Sequence, residues 1–135
     1  MSTGSIQELD AEECRELLEV GRFGRVALDG DDDLELLPVN YAFADGIVML
    51  RTTAGSTLAS IVDGRRFVFE ADHHDDTYQT GWSISVRGPA ELADDEQVGD
   101  FGGRLPVSWA GGGDGVYVAI TVERMSGRRV RVFPA

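Results

Sequence analysis

The sequence predicts a mainly β chain with some helix (α+β), organised as a small antiparallel barrel of six or seven strands with short helices. Three features point to it. Short apolar runs alternate with polar residues at a period of two through most of the chain after Phe23. Aspartate and glycine turns separate these runs, Asp45-Gly46 being the strongest hairpin signal. Helical periodicity is confined to brief segments between them. Closing such strands into a barrel removes the edges they would otherwise expose.

Residues 1–8 are expected to form a disordered leader and 9–135 a single domain. Asp10 can cap a first helix, with Glu13 at its third position and acids crowding the positive end of the dipole. Cys14, Leu17 and Leu18 then share one apolar face, and Gly21 ends the helix as a C-terminal glycine would. Arg22 to Asp29 reads as strand and is followed by the acidic turn Asp29-Gly30-Asp31-Asp32-Asp33. Leu34 to Phe43 and Ile47 to Thr52 flank the Asp45-Gly46 turn, and Pro38 suggests an edge or a bulge. Ser56 to Asp63 is a short helix with Leu58, Ile61 and Val62 inward, closed by Gly64. Arg66 to Ala71 is the next strand. A polar loop separates it from Gly81 to Leu92, where Trp82, Ile84 and Val86 alternate with Ser83, Ser85 and Arg87. Asp94 caps a short helix to about Phe101, and Gly102 to Gly115 is glycine-rich. Val116, Val118, Ile120 and Val122 mark a sixth strand; Val130, Val132 and Phe133 mark a seventh.

The chain has 135 residues, 24 acids, 12 arginines, no lysine and a net charge of −12. Without lysine there is no Schiff base and no Walker A phosphate loop. The acidic balance argues against nucleic acid and against an anionic membrane surface. The apolar runs are too short to span a bilayer, and the first residues lack the apolar core of a signal peptide. A single cysteine, Cys14, cannot form an internal disulfide, so a cytoplasmic location is expected, and Cys14 reads as a small core residue.

Against this acidic background, Arg51-Thr52-Thr53-Ala54-Gly55-Ser56-Thr57-Leu58 stands out. Arginine and threonine at a strand end run into a Gly-Ser turn that opens a helix. Guanidinium, hydroxyls and oriented N–H groups together suit an anion, above all a phosphate. The plainer readings are a surface strand end for Arg51-Thr52 and a helix cap for Ser56. His73-His74-Asp75-Asp76 has metal-ligand residue types, but neighbouring residues of an extended chain point to opposite faces, so a solvated loop is expected and no metal. It could also rim a ligand pocket. The Asp29 to Asp33 turn lacks calcium-loop spacing, and Gly111-Gly112-Gly113-Asp114-Gly115 precedes a strand, so neither is a ligand fingerprint. Arg128-Arg129 can reach a phosphate tail or form surface ion pairs, and Tyr41 and Tyr78 can line a pocket. No catalytic residue can be named.

Taken in order, Gly21-Arg22-Phe23-Gly24-Arg25-Val26, Leu37-Pro38-Val39-Asn40-Tyr41, Arg51-Thr52-Thr53-Ala54-Gly55-Ser56, Gly81-Trp82-Ser83-Ile84-Ser85-Val86-Arg87-Gly88 and Ser126-Gly127-Arg128-Arg129-Val130 resemble the FMN-binding split-barrel proteins of the pyridoxamine 5′-phosphate oxidase-like family. The resemblance implies that Leu37-Pro38-Val39-Asn40 lies along a flavin ring and offers it backbone groups. It implies that Arg51 and Thr52, with the turn Gly55-Ser56-Thr57 and the N–H of Leu58, hold the FMN phosphate. It implies a homodimer in which Trp82 and Ser83 of the other chain close the site; a core or interface aromatic is the plainer role for Trp82. Thr57 departs from the family, whose members commonly carry lysine there, which leaves deazaflavin F420 open as an alternative cofactor. The C-terminal extension that grips pyridoxal phosphates in the named oxidase has no counterpart before Ala135, so vitamin B6 oxidation is not expected. The expected function is an FMN flavoprotein, an oxidoreductase acting on an unknown small substrate. The alternatives are an F420-dependent reductase and a non-catalytic flavin- or ligand-binding dimer.

Overall fold

A computed structural model describes residues 3–30, 32–53, 56, 58–59, 63–106 and 115–133. Its strands are β1 (Thr3–Glu8), β2 (Phe23–Asp29), β3 (Leu34–Ala44), β4 (Ile47–Thr53), β5 (Arg66–Asp75), β6 (Thr80–Leu92), β7 (Gly115–Thr121) and β8 (Arg124–Phe133). Helix α1 (Ala11–Val20) follows β1, and α2 (Asp95–Phe101) follows β6 and runs into a 3₁₀ turn at Gly102–Arg104.

The sheet order is β1-β8-β6-β5-β2-β3-β4-β7, and β6 also pairs with β7. That last pairing closes β6-β5-β2-β3-β4-β7 into a barrel and leaves β8 and β1 as an extension beyond it. β6 serves both parts because its halves have different partners. Thr80 to Arg87 pairs with β8, and Ala90 to Leu92 pairs with β7. The changeover falls at Gly88, where an added Cβ would run into the Thr121 carbonyl oxygen. A side chain would hold the two strands apart. The result is an α+β split barrel, the class the sequence indicates.

The alternation read from the sequence sets the core. Val26, Phe69, Ile84, Val86, Leu50 and Ile120 are fully buried inside the barrel. A smaller cluster forms on the outer side of β4 and β7, where Phe101 of α2 covers Met49 and Ala119. Both helices start as expected. Asp10 accepts the Glu13 N–H at 2.8 Å, and Asp94 accepts the Gln97 N–H at 2.8 Å, each in a reciprocal capping box. The Asp45-Gly46 turn has φ of 52° and 76°, the positive pair that a two-residue hairpin requires. Cys14 is buried, as read.

Four expectations change. The leader is strand β1 from Thr3 onward, paired with β8 from Thr3↔Phe133 to Glu8↔Arg128, which makes eight strands. Its residues from Gly4 to Glu8 are all exposed, so no burial pattern marked it, and its partner strand lies at the other end of the chain. His73 and His74 are not in a loop: β5 continues to Asp75, with His73 opposite Trp82 and His74 opposite Gly81. Polar side chains hid a strand whose partner supplies the hydrogen bonds. Gly21 caps α1, but at φ −74° and ψ 158°, not in the left-handed region. Glycine is required there because a Cβ would collide with the Tyr41 hydroxyl. Gly115, read as loop, begins β7. Of the helix expected over 56–63, Leu58 and Ala59 are helical and Leu58 is buried, while Ile61 and Val62 lie outside the described residues. Gly111 to Asp114 also lie outside them.

Candidate functional site

β3 and β4 begin as a hairpin and then part. They pair from Ala44↔Ile47 to Tyr41↔Leu50. Beyond that point Leu34 to Asn40 pair with β2, and Arg51 to Thr53 pair with β7. Had the ladder continued, Asn40 would face Arg51 and Val39 would face Thr52. The fork therefore carries Leu37-Pro38-Val39-Asn40 on one prong and Arg51-Thr52 on the other. The two prong edges have no strand partner among the described residues. Backbone polar groups on such edges seek other partners, water or a ligand. Pro38 lies on this one-sided part of β3, in keeping with the edge position read from the sequence.

The strand's alternation sends Arg51 and Thr52 to opposite faces of β4. Thr52 Oγ1 lies 2.8 Å from Ser56 Oγ. The same Ser56 oxygen accepts the Ala59 N–H at 3.2 Å, and the Ser56 N–H donates to the Thr53 carbonyl at 3.0 Å. Two hydroxyls thus stand together where β4 ends, and buried Leu58 fastens the turn to the core. On the other face the Arg51 guanidinium lies over Gly115 of β7, where a Cβ would come within 2.6 Å of Cζ. Among the described residues Arg51 has no ion-pair partner, whereas Arg25, Arg66 and Arg129 each hold a carboxylate. No described contact joins Arg51 to Ser56. Gly55 and Thr57 lie outside the described residues.

Trp82 and Ser83 stand elsewhere in the chain. Trp82 pairs with His73 and Arg129, and Ser83 with Asp72 and Arg128. Trp82 is half-buried against the main core, and its ring lies 6.4 Å from that of His73, tilted by 34°. With Gly81 and Gln79 they border a cavity of about 400 Å³. β5 and β2 separate β6 from β3 in the sheet, so one chain keeps Trp82 and Ser83 apart from the fork. His74 Nδ1 approaches Asp76 Oδ1 at 3.2 Å, and no metal-binding cluster occurs among the described residues. Tyr41 is buried and donates to the Leu18 carbonyl at 2.9 Å. Burial pushes its phenol well above the usual range. Arg129 pairs with Glu13 at 3.5 Å, one of the two roles read for Arg128-Arg129.

Three features escaped the sequence. Gly115, which makes room for Arg51, looked like loop. The fork depends on which strands pair. The third is a charge cluster on the outer sheet face, where one Arg25 nitrogen holds Glu70 at 3.1 Å and Asp72 at 3.0 Å. Partial burial, together with the hydrogen bond and charge of Asp72, raises the Glu70 carboxyl to about 7.

A family model described as pyridoxamine 5′-phosphate oxidase matches residues 10–129. An uncharacterised protein of Mycobacterium tuberculosis, Rv0080, is 36% identical over 96% of this chain and 88% of its own length. The structure of an FAD-binding protein from Mycobacterium smegmatis superposes with a TM-score of 0.78 at 29% identity, over 91% of this chain and 98% of that one. An FAD-binding protein from Mesorhizobium loti shares the fold with a TM-score of 0.69 at 22% identity, over 92% of this chain and 97% of that one.

Proposed function

The chain belongs to the pyridoxamine 5′-phosphate oxidase family, and on that premise we propose that it binds a flavin nucleotide at the β3–β4 fork and acts, as a homodimer, as an oxidoreductase on a small substrate. The fork is the observation that carries the reading. It sets a strand edge that has no ladder partner among the described residues beside an arginine with no ion pair among them and beside a pair of hydroxyls. A flavin nucleotide needs both kinds of contact: donors and acceptors along its ring edge, and cation plus hydroxyl at its phosphate. The FAD-binding relative at 29% identity supports flavin in general and widens the choice from FMN to FAD.

The roles divide by prong. Backbone groups of Leu37 to Asn40 would orient the ring. Arg51, Thr52 and Ser56 would hold phosphate, with Gly115 leaving the guanidinium room to turn. Trp82 and Ser83 of a second chain would cover the site and exclude water, because the sheet order keeps this chain's own pair away from its fork. The bound flavin supplies the redox chemistry, and no side chain need act as obligate acid or base. The acidic surface disfavours an anionic substrate.

The test is equilibrium titration of the purified protein with FMN, FAD and F420, followed by absorbance after gel filtration. Retained flavin bands are expected. Arg51→Ala should weaken binding by about 1.5–3 kcal/mol, roughly tenfold to more than a hundredfold. A protein that takes up no flavin overturns the proposal, and selective uptake of F420 replaces the cofactor. An Arg51→Ala dissociation constant equal to that of the wild type would move the phosphate elsewhere.

A further inference from the structure

The β5–β6 hairpin carries a hollow of about 400 Å³ that lies apart from the fork. Its floor is Gly81, which pairs with His74 of β5 and Val130 of β8. A Cβ there would sit 3.0 Å from the His73 carbonyl oxygen and 3.6 Å from His74 Cδ2, so the missing side chain is what opens the hollow. Its walls are mostly apolar and aromatic. Trp82 and His73 are cross-strand neighbours whose rings lie 6.4 Å apart and 34° from parallel. Gln79 stands at the rim with φ 52°, a region that glutamine seldom enters. One amide N–H of Gln79 donates to the Asp76 carbonyl at 2.7 Å, and the Tyr78 N–H donates to Asp75 Oδ1 at 3.1 Å, which holds the turn in that shape. Strained backbone of this kind persists at ligand clamps. The Gln79 amide keeps its second N–H and its oxygen for a ligand.

We infer that this hollow binds a small, planar, uncharged aromatic or heteroaromatic molecule, and that such a molecule is the substrate. Three observations select it. The volume lies at the low end of the roughly 300–1,000 Å³ usual for small-molecule sites, which fits one ring or two fused rings. Aromatic rings pack on one another's faces and edges, and Trp82 and His73 offer two. The charges select a neutral ligand. Among the described residues the lining has no arginine, so an anion meets no fixed cation there. Its one carboxylate, Asp72, is held by Arg25 at 3.0 Å, and His74 Nδ1 lies 3.2 Å from Asp76 Oδ1, so a cation meets no free acid in the lining. An ion would lose hydration there without a partner to replace it. Trp82 and Ser83, which would cover the flavin of a second chain, both border the hollow, so a ring held here would lie beside that flavin. That the bound ring is the substrate rests on the flavin proposal; that the hollow binds it does not.

The experiment is equilibrium dialysis against quinoline, which is planar and uncharged at neutral pH, and against quinaldate and N-methylquinolinium, its anionic and cationic counterparts. The flavin-free protein should take up one quinoline per chain with a submillimolar dissociation constant and hold each charged counterpart at least tenfold more weakly. Gly81→Val fills the floor and Trp82→Leu removes the larger ring; each should weaken quinoline binding at least tenfold. Gln79→Gly adopts the positive φ without strain, so it serves if either of those fails to fold by circular dichroism, and it should weaken binding about threefold or more. Flavin-loaded protein should bind quinoline as well as the flavin-free protein does. No uptake of quinoline overturns the inference, as does equal or tighter binding of either charged ring, or folded variants that bind like the wild type. Loss of quinoline binding on flavin loading would mean that the flavin itself fills the hollow, and it too overturns the inference. A protein that takes up no flavin but binds the three rings as expected overturns the functional proposal and leaves the binding site standing.

Discussion

Replacing Gly21 by alanine probes the joint on which the fork rests. Gly21 ends α1, and Tyr41 is the last β3 residue to pair with β4 before the strands part. The Tyr41 hydroxyl donates to Leu18 O at 2.9 Å in a site that is 2% exposed, and the ring meets Phe69 edge-on at 4.8 Å. The Gly21 backbone, at φ −74° and ψ 158°, suits any residue, so the cost of alanine is purely steric. Its Cβ needs the space the hydroxyl fills. Overpacking costs about 1–3 kcal/mol, and displacing the hydroxyl forfeits a buried hydrogen bond of about 1 kcal/mol. Reduced freedom of the unfolded chain returns about 0.4–1 kcal/mol. Gly21→Ala should therefore cost roughly 2 kcal/mol. Tyr41→Phe alone should cost about 1 kcal/mol, since it leaves the Leu18 carbonyl unpaired. In the double variant the hydroxyl is already absent and the nearest remaining atom is the ring Cζ at 3.1 Å, a tight contact but no longer an overlap, so the combined loss should fall short of the sum by about 1 kcal/mol. Urea unfolding of the four proteins measures the cycle. Additive losses would mean that Gly21 and Tyr41 do not compete for the same space, and the steric account of this glycine would be wrong.

Gly88→Ala should lower stability by about 1–3 kcal/mol and the melting temperature by roughly 4–10 °C, because its Cβ meets the Thr121 carbonyl where β6 changes partners; an unchanged melt would show that the seam tolerates a side chain. Ser56→Ala removes the acceptor of the Ala59 N–H and the partner of Thr52, so it should cost about 0.5–2 kcal/mol in urea unfolding and weaken flavin binding by a similar amount. In the folded chain Glu70 carries a value of about 7 against an ordinary 4.5, raised by partial burial and by Asp72. The resulting stability is complete below the ordinary value and is lost as pH rises through about 7. Glu70→Gln should flatten the stability profile across that window, by on the order of 1 kcal/mol for a side chain one-third exposed; a profile as steep as that of the wild type would assign the titration to another group.

Much of the barrel is legible in the chain because its determinants are local. Alternation at Trp82, Ile84 and Val86, the Asp45-Gly46 turn, and the caps at Asp10 and Asp94 depend on residues within a few positions of one another, and each appears as read. The clustering of Thr52 with Ser56 is local in the same sense, four residues apart. What the sequence could not reveal depends on partners far along the chain. β1 has exposed side chains and exists through its ladder with β8. His73 and His74 look like loop because polar side chains give no sign that β6 supplies their hydrogen bonds.

Gly21 and Gly88 show the same division inside single residues. That each is glycine is plain in the sequence; why it is glycine was decided by Tyr41 and by Thr121. The fork belongs wholly to the tertiary structure. Leu37 to Asn40 and Arg51 to Thr52 could be singled out as motifs, but only the switch of β3 to β2 and of β4 to β7 turns two motifs into two prongs of one opening. The cluster of Arg25 with Glu70 and Asp72 arises in the same way. Side-chain type and short-range periodicity are written residue by residue, whereas strand pairing is chosen by the free energy of the whole barrel, and that choice decides which charges and edges face one another.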